Sequence, residues 1–223
     1  MRRWTFRLAG TLAAVLFAAA AWAGSGQTRT VAKSTSAPAA APQQDVPPDK
    51  NLGSRSAPVV MEVFSDYSCP VCRTFYQNAT RPIIDEYVAS GKVYLIHRDF
   101  PLKGVLGHEH SREAALYANA AARIGKFQEV DAALYEKQEV WTRMGNVEAV
   151  VAAVLNPRDM KRVQELVSSG KMDQYVDADA ALGTSKSVRS TPTIFLTAHG
   201  KTDQIPGNVS YPLLHRFIDE QLR

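Results

Sequence analysis

Between Asn51 and Arg223 short continuous apolar runs alternate with longer stretches in which apolar side chains recur at helical spacing. Val59 to Phe64 is apolar and rich in β-branched residues, and it is bounded by Pro58 and by Ser65-Asp66, which predicts a buried central strand. Phe75, Tyr76, Ile83, Ile84, Tyr87 and Val88 then form one apolar helix face. Pro82 inside that pattern predicts a kink or restart near Thr80, and Ser90-Gly91 closes the helix. Lys92 to His97 predicts a second strand, left through Arg98-Asp99-Phe100-Pro101. Strand, helix, strand in this order is a βαβ unit, for which parallel strands and a right-handed crossover are expected.

From about Glu109 to Leu182 the pattern is nearly all helical, with Ala114, Ala115, Ala118, Ala121 and Ala122 lining a closely packed helix. Phe127, Val130, Leu134 and Trp141 continue the spacing, and Asn156-Pro157 reads as an N-cap followed by proline at the first helical position. Four or five helices are expected, an insertion over about 105–185 between strands of one sheet. Thr193 to Thr197 predicts a strand, Ala198 to Lys201 a turn, and Thr202 to Ile205 the returning strand of a hairpin ended by Pro206-Gly207. A last helix from about Tyr211 to Leu222 buries Leu214, Phe217, Ile218 and Leu222. The class is α/β.

The chain ahead of this domain has a different composition. Met1 to Arg7 is basic, Leu8 to Ala21 is apolar, and Ala21-Trp22-Ala23 offers a small-residue cleavage site, which together predict a secretory signal peptide over 1–23. Residues 24–50 are Ala, Ser, Thr, Gln and Pro with few large apolar side chains, so a disordered linker is expected there. The formal net charge is +4, but loss of Arg2, Arg3 and Arg7 with the leader leaves 23 basic against 22 acidic side chains. That balance argues against a nucleic-acid partner. Export implies an oxidising compartment, where disulfides form and persist.

The two cysteines of the chain, Cys69 and Cys72, follow the first strand as Cys69-Pro70-Val71-Cys72. A cysteine at the first turn of a helix faces unpaired backbone N–H groups and the positive end of the helix dipole, which favour its thiolate. Cys69 is therefore the candidate nucleophile, and Cys72, one turn on, the thiol that resolves a mixed disulfide. Pro70 gives up an N–H that the first turn does not use. Two other readings stay open. A structural disulfide across so small a loop removes little chain entropy, and a zinc site needs two further ligands from His97, His108, His110, His199 and His215, with His108 and His110 expected on different faces of a helix. Haem attachment is excluded by Arg73, which stands where histidine is required.

The run Phe64-Ser65-Asp66-Tyr67-Ser68-Cys69-Pro70-Val71-Cys72, the Arg98-to-Leu102 segment, the Ala114-Ala115 helix and Val188-Arg189-Ser190-Thr191-Pro192-Thr193 resemble the DsbA-like thiol-disulfide oxidoreductases. The resemblance covers 51–223 and implies a thioredoxin-like fold, with the helical insertion between the βαβ unit and the C-terminal hairpin and helix. It also implies a cis Pro192 facing the dithiol, with the Thr191 backbone pairing with a substrate peptide as an added strand. Two departures bear on the tuning of the dithiol. Val71 occupies a position where strongly oxidising relatives carry histidine, and Val63 stands six residues before Cys69, where many such folds hold an acid. Glu62 is one residue off and should face the opposite side of the strand, whereas Asp66 is either a substitute proton acceptor or a cap on its own loop.

The expected activity is exchange of disulfides with protein substrates in the periplasm, through disulfide formation or isomerisation. A membrane redox partner would regenerate the pair, and the Cys69–Cys72 disulfide would be the only redox group, without a metal or organic cofactor. The alternative is a non-catalytic binding or assembly module with a permanent disulfide.

Overall fold

A computed structural model describes residues 49–223, apart from 208. The expected signal peptide, and all but the last two residues of the expected linker, lie outside the described residues. Five strands form one sheet in the order β1-β3-β2-β4-β5: β1 (Asn51–Leu52), β2 (Val59–Ser65), β3 (Val93–Asp99), β4 (Thr193–Ala198) and β5 (Lys201–Pro206). β2 lies parallel to β3 and antiparallel to β4, as the βαβ unit and the hairpin require. The short β1 pairs antiparallel with β3 and has too few residues to show a period in sequence.

Alternation along β2 decides what covers each face of the sheet. Val59, Met61 and Val63 pack with Ile194 and Leu196 against Phe75, Ala79, Ile83 and Tyr87 of the helix that follows the cysteines, and against Leu214 and Ile218 of the last helix. That first helix runs as α1 (Pro70–Phe75), a π-helical stretch, α2 (Arg81–Ile83) and a second π-helical stretch to Val88. The restart expected near Thr80 thus takes the form of widened turns on either side of Pro82, whose missing N–H a regular helix would need. On the other face Phe64 packs on Phe195, Val188, Phe100 and Leu182. Gly183 makes this approach possible, since a Cβ there would lie 2.6 Å from the Phe100 ring.

The insertion holds six helices where four or five were expected: α3 (Ser111–Ala122), α4 (Phe127–Glu136), α5 (Gln138–Met144), α6 (Val147–Ala152), α7 (Pro157–Ser168) and α8 (Asp173–Ser185). The additional break comes from single-residue and two-residue joints at Lys137 and Gly145-Asn146, which interrupt the helix without interrupting the apolar spacing. Asn156 caps α7 as expected, its side chain accepting from the Asp159 N–H. The last helix is α9 (Tyr211–Gln221). Tyr67, Cys69, Cys72 and Tyr76 share the core of the insertion, so the dithiol lies where insertion and sheet meet.

Lys50 was expected to end a disordered linker. It is instead 6% exposed, bonded to Asp99 and to Asp179 at 2.6 Å, and so belongs to the folded body. Among the described residues no helix is long and apolar enough to cross a membrane.

Candidate active site around Cys69 and Cys72

β2 ends at Ser65, and a turn over Asp66 to Ser68 brings the chain into α1 with Cys69 at the N-cap, extended at φ −73° and ψ 119°. Cys69 is 7% exposed and Cys72 1%, both as free thiols, while Pro70 and Val71 between them face solvent. One sulfur is therefore reachable and the other is sealed beneath it. The Cys69 thiol is lowered from 9.0 to about 5, first by a hydrogen bond from the Cys72 thiol and then by the Cys72 and Val71 backbone N–H groups and the Thr191 side chain, against the opposing effect of burial. Cys72 is pushed well above the usual thiol range, first by burial and then by its partnership with Cys69. The two thiols thus differ in both exposure and acidity.

The Thr191–Pro192 bond is cis, as the resemblance implied, and the Thr191 carbonyl oxygen lies 3.5 Å from the Cys69 sulfur. Both residues are buried, just ahead of β4. Gly207 backs this loop, because a Cβ at that position would fall 1.7 Å from the Pro192 carbonyl oxygen.

Asp66 has no free carboxylate edge. It accepts from the Ser68 N–H at 2.7 Å, the Ser111 hydroxyl at 2.6 Å and the Leu102 N–H at 2.7 Å, and His108 Nδ1 lies 2.8 Å away. It therefore clamps the cysteine loop to the segment between β3 and α3, and its backbone N–H, 3.5 Å away, is what meets the Cys72 sulfur. His108 and His110 lie ahead of α3, not on two faces of a helix as expected. Glu62 points to the far face of the sheet, bonded to Arg98 at 2.7 Å and to Lys186, while Val63 is in the core.

Several residues of this surround carried no signal in the sequence. Gln138, 3% exposed at the start of α5, donates to the Tyr67 carbonyl at 2.6 Å and the Cys69 carbonyl at 3.0 Å. Below Cys72 the Ser65 and Tyr135 hydroxyls are 2.7 Å apart, and the Tyr67 hydroxyl donates to Asp131 at 2.8 Å. Tyr135 stacks on Tyr76, and Tyr67 on His97. A small cavity is lined by Ser65, Cys72, Tyr76, His97, Asp131 and Tyr135 among others. Among the described residues no three His, Cys, Asp or Glu side chains are grouped to hold a metal ion.

Residues 45–220 match the family model described as Thioredoxin. Over 184 residues the chain is 24% identical to the "Probable disulfide bond formation protein D" of Bacillus cereus, a match covering 78% of this chain and 79% of that one. Among solved structures, oxidised BdbD of Bacillus subtilis superposes with a TM-score of 0.64 at 22% identity, over 79% of this chain and 92% of that chain. An alpha-DsbA1 structure from Wolbachia pipientis gives a TM-score of 0.62 at 20% identity, again over 79% and 92% of the two chains.

Proposed function

The chain belongs to the thioredoxin family, and on that premise we propose that it is a thiol-disulfide oxidoreductase in which Cys69 exchanges disulfides with protein substrates and Cys72 resolves. The observation that carries the reading is the asymmetry of the pair. Cys69 at the mouth of α1 is lowered to about 5, while Cys72 is sealed behind it and pushed upward. A thiolate that is stable at neutral pH is available to attack a client disulfide, and Cys69 is also a good leaving group when a second client thiolate attacks the mixed disulfide and carries the new disulfide away. Stabilising the reduced form in this way raises the reduction potential, so disulfide formation is the favoured direction, with isomerisation the second use of the same chemistry. The name of the Bacillus cereus relative agrees with that direction.

A client segment in extended conformation would lie across Pro70 and Val71, the exposed apolar pair between the cysteines, and pair with the Thr191 backbone. Two sulfurs suffice for the exchange, so neither a metal nor an organic cofactor is part of the proposal. The basic and apolar character of residues 1–23 supports export to the periplasm, and an oxidase working there needs a membrane redox partner to reoxidise it.

The test is to trap the intermediate. Cys72→Ser should accumulate mixed disulfides with clients on non-reducing electrophoresis, Cys69→Ser should show none, and the potential of the wild-type pair should fall at the oxidising end, near about −120 mV rather than −270 mV. Equal behaviour of wild type and Cys69→Ser, in both insulin reduction and thiol oxidation, overturns the catalytic reading.

A further inference from the structure

Resolution by Cys72 requires its proton to leave, yet the thiol is 1% exposed and cannot reach bulk water directly. The positions from which an acid would be expected to serve are unavailable. Val63 is apolar, Glu62 lies across the sheet in ion pairs with Arg98 and Lys186, and every edge of the Asp66 carboxylate is engaged. One carboxylate remains beside the cavity that Cys72 lines, and it comes from the helical insertion: Asp131 of α4.

Asp131 differs from the other buried acids of this protein. Asp99 meets Lys50 and Asn119, and Asp179 meets Lys50 and Arg98, so both carry direct cationic partners. Asp131 is 6% exposed, accepts from the neutral Tyr67 hydroxyl, and has its nearest ring nitrogen, His97 Nδ1, at 4.0 Å. The Ser65 hydroxyl sits against the Cys72 thiol and 2.7 Å from the Tyr135 hydroxyl, one helical turn beyond Asp131 on α4. The cavity these groups share leaves about 20 Å³ in which the centre of a water molecule can lie, room for about one water.

We propose that Asp131 is the proton acceptor and donor for Cys72, reached through the Ser65 and Tyr135 hydroxyls and the cavity beside them. The inference rests on the dithiol-exchange reading above. In resolution, the Cys72 thiol passes its proton along this path to the Asp131 carboxylate, and the Cys72 thiolate attacks the Cys69 sulfur. The Cys69–Cys72 bond forms as the bond from Cys69 to the client sulfur breaks, and the client leaves as a thiolate. The enzyme dithiol is oxidised by two electrons and the client disulfide is reduced by two. When a client thiolate attacks the oxidised pair, Cys72 departs as thiolate and the proton returns from Asp131. The groups that face Asp131 are Tyr67 from the cysteine loop, Tyr76 from the helix after it, His97 and Asp99 from β3, Lys50 ahead of β1, and Tyr135 on its own helix. Burial, outweighing the attraction of His97 and the Tyr67 bond, leaves the Asp131 carboxyl above the usual carboxylate value, closer to working pH, which suits a group that both takes and gives a proton.

Stopped-flow reaction of the reduced full chain with 5,5′-dithiobis(2-nitrobenzoate) separates the steps. A first release of thionitrobenzoate reports attack by Cys69, and a second reports resolution by Cys72. Asp131→Asn should keep the first phase and slow the second by about tenfold or more between pH 5 and 7, with the gap closing as hydroxide takes over at higher pH. Tyr135→Phe, which removes one hydroxyl, should slow the second phase several-fold in the same window. A second phase in Asp131→Asn equal to wild type from pH 5 to 9 overturns the relay. Should Asp131→Asn fail to fold, an unchanged second phase in Tyr135→Phe overturns it instead. Absence of any second phase in wild type would refute the dithiol reading itself, a distinct result.

Discussion

The Thr191 carbonyl oxygen stands 3.5 Å from the Cys69 sulfur across 122 residues of sequence. The contact joins the segment just ahead of β4 to the mouth of α1, so one supplies the backbone and the other the more accessible thiol beside it. Within that setting the largest single influence on Cys69 is the Cys72 thiol.

Alkylation of Cys69 by iodoacetamide should therefore follow a thiolate titrating at about 5, and Cys72→Ala should move the midpoint upward by removing the leading cause of the shift. The same shift has a stability consequence. The folded thiol titrates at about 5 and the unfolded one near 9.0, so between those values the unfolded chain binds the extra proton and stability rises with pH. The contribution is complete above the unfolded value and is lost as pH falls through the folded one. Melting of the reduced protein against reduced Cys69→Ala should show wild type gaining from pH 5 upward; a flat difference would contradict the lowered thiol.

Lys50 is held between two buried carboxylates. Burial alone would raise the Asp99 carboxyl, yet Lys50 and His97 hold it below the usual carboxylate range. Lys50→Met should cost about 3–5 kcal/mol in urea unfolding at neutral pH, because it removes the buried cation between two carboxylates, leaving Asp99 with Asn119 and His97 and Asp179 with Arg98 and the Asp99 N–H. For the wild type the Asp99 contribution is present above its ordinary value of 3.8 and lost as pH falls. The gap between wild type and variant should therefore narrow in acid, and a gap that widens there would contradict the pairing.

Asp66 is predicted to hold a loop in place through its hydrogen bonds. Asp66→Ala leaves the Ser68 and Leu102 N–H groups and the Ser111 hydroxyl without their acceptor, which should cost about 3 kcal/mol or more. Leu106, 93% exposed between Gly104 and Gly107, should then become a site of rapid cleavage by thermolysin. Wild-type resistance at that loop would show that the clamp lies elsewhere.

What the sequence shows of this protein is local. The Cys69-Pro70-Val71-Cys72 spacing, the βαβ order and the Asn156-Pro157 cap each depend on neighbours a few residues apart, and each has the expected place in the fold. Lys50, Gln138, Tyr135 and Asp131 matter through partners 49 to 129 residues away, and nothing in their own surroundings marks them. Lys50 was masked further by composition, since a polar leader ending in one lysine looks the same whether that lysine is solvated or buried between acids. Asp131 sits on an amphipathic helix, where a single acid ordinarily marks the solvent face.

Gly207 ties these long-range contacts to the site. A Cβ there would lie 1.7 Å from the Pro192 carbonyl oxygen and 2.5 Å from its carbon, and backbone atoms cannot rotate aside as a flexible side chain would. Gly207→Ala must displace either β5 or the Thr191-Pro192 loop, so it should cost about 1–3 kcal/mol as overpacking does and draw the Thr191 carbonyl away from Cys69. If the client pairs with that backbone as proposed, exchange with a peptide disulfide should then fall by about tenfold, the equivalent of 1.4 kcal/mol of binding. Reaction with a small aromatic disulfide, which does not use the pairing, should change much less. Gly91→Ala is the matching control. Gly91 has a positive φ, of 74°, which Gly207 lacks, but has nothing within 4 Å of the added Cβ, so the substitution should cost about 1–2 kcal/mol of stability without altering the ratio of the two rates. Equal losses toward peptide and small disulfide in Gly207→Ala would mean that the Thr191 edge does not bind the client.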